Sequence, residues 1–382
     1  MQIYVVGGAI RDVLLGLPVA DRDYVVVGAT PEDMAALGYR PVGADFPVFL
    51  HPQTHEEYAL ARSERKTAPG YKGFVFHAGP EVTLEQDLLR RDLTVNAMAR
   101  ALGPDGKETG PLIAPHGGRA DLDARVFRHV SPAFGEDPVR ILRLARFAAR
   151  FPEFRVALDT LALMRGMVAS GEVDALVPER AWQEIARGLA AGRPSRMLQE
   201  LAACGALPRI LPGVPEPAPQ VLAWLDRAAQ TEAGLELRYA VLALGWTEAQ
   251  AEAASARLKA PGNCRDLARM AAREQAAIRE GAPPTPAQAV ELFDRCDAWR
   301  KPERFDALLA ACEFAVAGET DEKREGEKQG ARNIARLRRA LGAAQSVNAG
   351  DVAKTHTDAG GQPAGIAQAV RAARIAAVAA AH

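Results

Sequence analysis

Ile3-Tyr4-Val5-Val6-Gly7-Gly8-Ala9-Ile10-Arg11-Asp12, followed nine residues later by Asp21-Arg22-Asp23-Tyr24-Val25-Val26-Val27-Gly28, reads as strand, glycine break, helix and second strand. The β-branched and aromatic runs favour extended chain, and Ala9 to Leu15 fits one or two helical turns. Thr30-Pro31-Glu32-Asp33 predicts the next helix start, with Thr30 as cap and Pro31 in the first turn. Phe46 to His51 and Glu56 to Arg62 predict a strand pair joined by the polar turn Pro52 to His55. Several strands with one or two packed helices make a small mixed sheet within the first 130 residues.

The pattern changes near Glu136, where the apolar spacing becomes helical, with breaks at Pro152, Gly171 and Gly192-Arg193-Pro194. Leu211 to Gln220 holds four prolines in ten residues and marks a boundary or linker. Beyond it the chain stays helical and Ala-rich, broken again at Ala282-Pro283-Pro284-Thr285-Pro286. Residues 319–339 carry twelve charges and predict a solvated helix or a loop. The fold class is therefore α+β, with a mixed-sheet head and a long helical remainder.

Composition sets the outer limits. A length of 382 residues gives two to three domains. The chain has 47 Lys+Arg against 48 Asp+Glu and 48% apolar residues, which excludes a disordered acidic tail, a collagen-like chain and a coiled-coil rod. Neutral overall charge argues against a protein coated in basic residues, but a local basic face can still bind nucleic acid. Cys204, Cys264, Cys296 and Cys312 are too dispersed for a structural zinc site or a disulfide framework. No secretory segment and no run of about 20 apolar residues occurs. A reduced, cytoplasmic setting is expected.

Asp21 and Asp23 flank Arg22 on a strand, so both carboxylates point the same way, about 6–7 Å apart. Two such charges repel unless a cation sits between them, and a hard divalent ion such as Mg²⁺ suits oxygen ligands. Gly7-Gly8 at a helix start allows close approach of a phosphate, with Arg11 in reach of it. The same residues also read more plainly, as a polar turn, a tight glycine turn and a solvated helix face. Neither a dinucleotide fingerprint nor a P-loop is present.

Beyond these two motifs lie Arg90-Arg91-Asp92-Leu93-Thr94-Val95-Asn96, the run Gly135 to Arg150 (GEDPVRILRLARFAAR) and Pro178 to Glu184 (PERAWQE). Together they resemble the bacterial tRNA nucleotidyltransferases that add CCA, the class II branch of the polymerase-β-like superfamily, which includes bacterial poly(A) polymerases. The resemblance is close over residues 1–211. It runs more loosely through Leu292 to Phe305 and Arg374 to Ala380. It implies a polymerase-β-like nucleotidyltransferase head over 1–135, a nucleotide-selecting helical neck over 136–211 and a tRNA-binding body and tail over 212–382.

Carried over by position, the resemblance gives Gly8 and Arg11 to the triphosphate and makes Asp21 and Asp23 the catalytic, Mg²⁺-binding carboxylates. Arg91 and Asp92 would join head to neck and contact the nucleotide. Glu136, Asp137 and Arg140 match the base-selecting motif, and Arg143 and Arg146 match further nucleotide-contacting positions. Glu179, Arg180 and Glu184 match a helix that braces the neck. The implied reaction is attack of a tRNA 3′-hydroxyl on the α-phosphorus of CTP or ATP, with two metals and release of pyrophosphate. Glu56 or Glu57 is a candidate third carboxylate; a surface strand end is the other reading of both.

Asp137 and Arg140 share a helix face. A carboxylate accepting from an exocyclic amine, beside a guanidinium donating to a ring nitrogen, accepts C and A and mispairs with G and U. Gly135-Glu136-Asp137-Pro138 is equally a good helix start with Asp137 as its cap. Arg140, Arg143, Arg146 and Arg150 then form a stripe with no acidic i,i+4 partners, which calls for an anion such as triphosphate or tRNA backbone; a solvated stripe is the plainer reading. In the body, Arg193, Arg196, Arg265, Arg269, Arg273 and Lys301 are candidate RNA contacts or simply solvated surface.

Two departures stand out. Longer members of this subfamily carry a phosphohydrolase domain with a His-Asp metal site, whereas here no histidine lies between residues 130 and 355. A short form without that domain, and without phosphatase or cyclic phosphodiesterase activity, is expected. In Gly110 to Gly118, Gly110 stands where the family has an aspartate and about three residues look inserted, which bears on addition of the terminal A. The alternatives are a poly(A) polymerase, an enzyme adding only CC or only A, and a catalytically dead RNA-binding protein. Intact Asp21, Asp23, Arg91, Asp137 and Arg140 speak against the last.

Overall fold

The computed structural model describes residues 1–42, 48–66, 74–280, 282–316 and 325–381. The chain separates into two compact units, Met1–Ile185 with Arg196–Ile210, and Ala186–Ser195 with Leu211–His382.

The first unit is built on a seven-stranded mixed sheet. Its strands are β1 (Gln2–Val6), β2 (Asp23–Val27), β3 (Arg40–Pro41), β4 (Val48–Leu50), β5 (Glu57–Leu60), β8 (Ala99–Leu102) and β9 (Glu108–Ile113), in the order β3-β4-β5-β2-β1-β8-β9. A separate ribbon pairs β6 (Arg62–Lys66) with β7 (Phe74–Ala78), and β10 (Val126–Phe127) pairs with β11 (Arg155–Val156). β1 lies antiparallel to both β2 and β8, with Val6 opposite Asp23 on one side and Ala99 on the other. β2 and β5 are parallel, Tyr24 beside Tyr58, and the two rings stack at 4.3 Å. Tyr24, Val25 and Val26 are all buried, as expected for a strand covered on both faces.

Helices of this unit are α1 (Gly8–Leu14), α2 (Pro31–Ala36), α3 (Leu84–Leu89), α4 (Gly118–Asp123), α5 (Val139–Arg150), α6 (Leu158–Ala169), α7 (Pro178–Leu189), α8 (Pro194–Ala203) and α9 (Leu207–Ile210). The division between units falls inside α7 and near the start of α8. α2 begins on the Thr30 cap, and Thr30 and Asp33 satisfy each other's backbone amides. Leu84 and Leu88 of α3 pack with Val82, Ala97 and the sheet residues Val6, Val25 and Ala99, so α3 lies against the face that carries Asp23. The predicted strand from Phe46 is present as β4; Phe46 and Pro47 lie outside the described residues.

The second unit is helical: α10 (Pro219–Ala229), α11 (Leu235–Ala243), α12 (Glu248–Leu258), α13 (Gly262–Arg279), α14 (Pro286–Arg295), α15 (Pro302–Val316), α16 (Glu325–Gln345), α17 (Ala349–Asp358) and α18 (Ile366–Ala380). α13 is its axis, packing on α11, α12, α15 and α16 through small residues such as Ala268, Ala271 and Ala272. Residues 211–218 contain no helix, and α10 starts at Pro219. Of the charged run over 319–339, the part from Glu325 is helical and residues 319–324 lie outside the described set. Among the described residues no helix is long and apolar enough to cross a membrane.

Candidate active site

The end of β1 and the start of β2 place Gly7 beside Asp23. Gly7 adopts φ +74°, a conformation open to glycine. A Cβ there would stand 2.9 Å from Arg91 Nη1 and 4.0 Å from Asp23 Oδ2. The missing side chain therefore lets the Arg91 guanidinium lie against the main chain next to the carboxylate. Asp21 and Asp23 are exposed, and neither accepts a hydrogen bond nor forms an ion pair among the described residues. Asp21 precedes β2 and Asp23 is its first residue, so the strand alternation does not reach Asp21; two such carboxylates two positions apart are still a donor set that fits a hard divalent cation.

A third carboxylate does not close the set. Glu56 accepts from the Tyr24 hydroxyl at 3.2 Å and the Thr54 hydroxyl at 2.9 Å. Glu57 is exposed and stands beside Asp23 by the parallel register of β2 and β5. Among the described residues no group of three His, Cys, Asp or Glu side chains is placed to hold a metal. A cation held by Asp21 and Asp23 would need its remaining ligands from elsewhere, such as phosphate oxygens and water.

Gly8 opens α1, and Arg11, expected at the surface, is buried beneath it. Its guanidinium pairs with Asp12 at 2.8 Å, donates to Asn96 Oδ1 at 2.5 Å and packs over Phe147 and Phe151. Burial pulls its pKa down, and Asp12 opposes the shift. Neither the solvated helix face nor a freely extended phosphate ligand describes this side chain.

The arginine stripe of α5 is the larger correction. Its anions are inside the protein. Arg143 donates to Asp92 at 2.9 Å, Arg146 to Glu184 at 2.5 Å, and Arg150 to Asp12 at 2.8 Å. Arg140 is buried and donates to the carbonyls of Ala133 and Arg90 at 3.1 and 2.7 Å. The acids are absent from α5 itself because α1, the segment after α3, and α7 provide them. Asp92 also accepts from Leu93 N and Asn96 Nδ2. Burial would raise its pKa, but Arg143, Asn96 and Arg140 outweigh that and hold it well below the usual carboxylate range.

Asp137 has an extended backbone just before α5, so it does not share a face of that helix with Arg140 as the spacing predicted. Oδ1 accepts from Val139 N at 3.0 Å, the capping role, and Oδ2 accepts from Arg180 Nη2 at 3.1 Å. Each oxygen has a second lone pair, so a capping Asp137 keeps acceptor capacity. Glu136 ends the short 3₁₀ turn before α5, Glu179 is exposed in the first turn of α7, and Glu184 is buried.

Gly110 lies in β9 with φ +73°, where the β8–β9 register shifts between Ala99 and Ala101. Across that shift Gly110, Pro111 and Leu112 stand opposite Arg100 alone, an irregularity for which a left-handed glycine is well suited. Of the candidate RNA contacts, Arg193, Arg196, Arg265, Arg269 and Arg273 all pair with acidic side chains. The Lys301 ammonium makes no ion pair among the described residues.

Asp12, Asp87 and Asn96 escaped the sequence reading. Asp87 and Asn96 sit next to or inside the Arg-Arg-Asp segment, and Asp12 adjoins Arg11, which was the available signal.

Residues 3–128 match the poly A polymerase head domain model, and residues 153–216 match a model described as the probable RNA and SrmB-binding site of polymerase A. A multifunctional CCA protein of Cupriavidus necator is 54% identical over 414 residues, covering 100% of this chain and 99% of the relative. The chain belongs to the CCA protein family of nucleotidyltransferases. A multifunctional CCA protein of Paraburkholderia phytofirmans is likewise 54% identical over 412 residues, covering 99% of each chain. Among solved structures, a CCA-adding enzyme in an apo form matches with TM-score 0.70 at 23% identity, covering 99% of this chain and 88% of the other. The Thermotoga maritima CCA-adding enzyme complexed with tRNA matches with TM-score 0.65 at 21% identity, covering 98% and 86%. The head thus has the polymerase-β-like nucleotidyltransferase fold. Divalent-metal dependence is general to such nucleotidyltransferases.

Proposed function

We propose that this chain adds and repairs the 3′-terminal CCA of tRNA without a template, using CTP and ATP. The observation that carries the reading is the pair of unpartnered carboxylates, Asp21 and Asp23, beside Gly7 and Arg91 in a chain so similar to CCA proteins over its full length. The head (1–135) would hold the metal and triphosphate, the neck (136–211) select the base, and the body and tail (212–382) hold tRNA. The tRNA 3′-oxygen forms a bond to the α-phosphorus as its hydroxyl proton passes to water, the bond from that phosphorus to the bridging oxygen breaks, and pyrophosphate leaves with the electron pair. Bound Mg²⁺ supplies Lewis-acid activation of the hydroxyl and neutralises the leaving group.

The protein's own part is placement. Asp21 and Asp23 hold the cation. Gly8 and Arg91 face the triphosphate, with Arg11 packed beneath Gly8. Asp137 accepts from the exocyclic amine of C or A, and Arg140 donates to the ring nitrogen through N–H groups left over from its two carbonyl bonds. Asp92, Arg143, Arg146 and Glu184 fix the angle at which α5 presents that pair, while Glu136, Glu179 and Arg180 brace its entrance. The relatives are called multifunctional, yet with no histidine between residues 130 and 355 a His-Asp hydrolase site cannot be built in that stretch.

The test is incorporation of labelled CTP into a tRNA transcript lacking its last three nucleotides, with Mg²⁺, by the wild type and by the Asp21→Ala, Asp23→Ala double variant. Two C residues added by the wild type and none by the folded variant support the reading. Equal incorporation by both would overturn the role of the carboxylates.

A further inference from the structure

The Arg-Arg-Asp segment is preceded by an acid that no part of the proposed chemistry uses. Asp87, on α3, is fully buried at 0% exposure. Its Oδ1 accepts from Arg90 Nε and Nη2, at 3.1 and 2.7 Å, and from the backbone N–H of Arg62 at 3.3 Å. Its Oδ2 accepts from Arg91 Nη2 at 3.2 Å. Among the described residues this is the only hydrogen bond of the Arg91 guanidinium, and Arg91 Nε is buried without a partner. The other end of that guanidinium, Nη1, lies against Gly7 in the space a Cβ would fill, with Asp23 adjacent. On the Arg90 side, the Arg90 carbonyl accepts from Arg140 Nη2 at 2.7 Å.

We infer that Asp87 is a positioning residue for the reaction, aiming Arg91 at the triphosphate beside Asp23 and steadying the Arg90 carbonyl on which Arg140 rests. The inference rests on the nucleotidyl-transfer reading above. A buried carboxylate is costly unless paired, and here Arg90 and Arg91, three and four residues on, both pair with it. Burial would push its pKa up; Arg90 and Arg91 more than offset this and hold it below the usual carboxylate range, so it stays charged at neutral pH. The consequence is one rigid anchor serving both the phosphate end and the base end of the nucleotide.

The substitution Asp87→Asn keeps the shape and an acceptor for Arg62 N–H but removes the charge that holds Arg91. The measurement is steady-state CMP and AMP incorporation into tRNA transcripts by wild type, Asp87→Asn, Arg91→Ala and the double variant, with melting temperatures alongside. Expected for Asp87→Asn is a rise of about 10–100-fold in KM for CTP and ATP, the range typical when an outer-shell partner is lost, with a smaller change in kcat. In the Arg91→Ala background Asp87→Asn should add little, because its effect passes through Arg91. Asp87→Glu, which keeps the charge, should recover part of the KM loss. Additive effects of the two substitutions, or an unchanged nucleotide KM in a folded Asp87→Asn protein, would overturn the inference. If Asp87→Asn unfolds, Asp87→Glu decides it: a folded Asp87→Glu with nucleotide KM altered as little in wild-type as in Arg91→Ala background would overturn the inference, whereas a KM change confined to the wild-type background supports it. An inactive wild type would instead sink the nucleotidyl-transfer reading, so the two failures are separable.

Discussion

Glu184 is the acid on which the inner end of the α5 stripe depends, and Glu184→Ala tests whether those arginines are held by the protein or await an external anion. Arg146 and Glu184 are 14% and 7% exposed at their side chains and 2.5 Å apart. Burial pulls the Arg146 pKa down and Glu184 is the chief group opposing it. Removing the acid leaves a guanidinium with little solvent, a change that typically costs about 3–5 kcal/mol. The Phe147 ring, 4.3 Å from Arg146, returns part of that, which places the cost near the lower figure. For a unit of this size about 3 kcal/mol corresponds to a fall in Tm of roughly 6–12 °C. Differential scanning calorimetry reads it directly. The companion variant Arg146→Met with Glu184→Leu removes both charges and should recover most of the loss, since an apolar pair of similar volume is often neutral. A drop below about 2 °C for Glu184→Ala would refute the reasoning, as would a double variant no more stable than the single one.

Asp92 has a folded pKa below its unfolded value, so the stability it contributes is present above the unfolded value near pH 4 and is lost as pH falls through the folded one. Melting temperatures taken from pH 5 down to pH 2 should therefore fall less steeply for Asp92→Asn than for wild type; parallel curves would contradict the Asp92–Arg143 pairing. The four cysteines are buried, with thiols pushed up by burial to about 11 for Cys204 and Cys264 and about 12 for Cys296 and Cys312. At pH 8 a disulfide reagent should label none of them in the native protein within minutes and all of them in denaturant; prompt native labelling would show the helical core open. Purified protein should not hydrolyse 2′,3′-cyclic AMP in the presence of divalent metals, and turnover that copurifies with it through two columns would show a hydrolase site built without the His-Asp pair.

What the sequence made legible was local. Strand, glycine break, helix and DxD could be read because each depends on neighbours within a few positions, and the Thr30 cap is of the same kind. The arginine stripe was visible, but its partners were not: Asp12, Asp92 and Glu184 are distant in sequence and are brought to α5 only by packing. Asp87 was not singled out, because nothing in the local pattern shows that it is buried beneath Arg90 and Arg91. The relation of Glu57 to Asp23 depends on the parallel register of β2 and β5, which no local pattern specifies. The bond from Arg180 to Asp137 joins α7 to the start of α5 across 43 residues, and no local pattern announces it.

The most direct test is the 3′-end sequence of a tRNA transcript lacking its last three nucleotides after incubation with the purified wild-type chain, Mg²⁺ and all four NTPs. The account predicts C, C and A added in that order and then a stop, with G and U excluded. Runs of A, or incorporation of all four nucleotides, would contradict it. An end at the second C would confine the fault to the altered Gly110 to Gly118 segment and contradict the claim that the chain completes CCA.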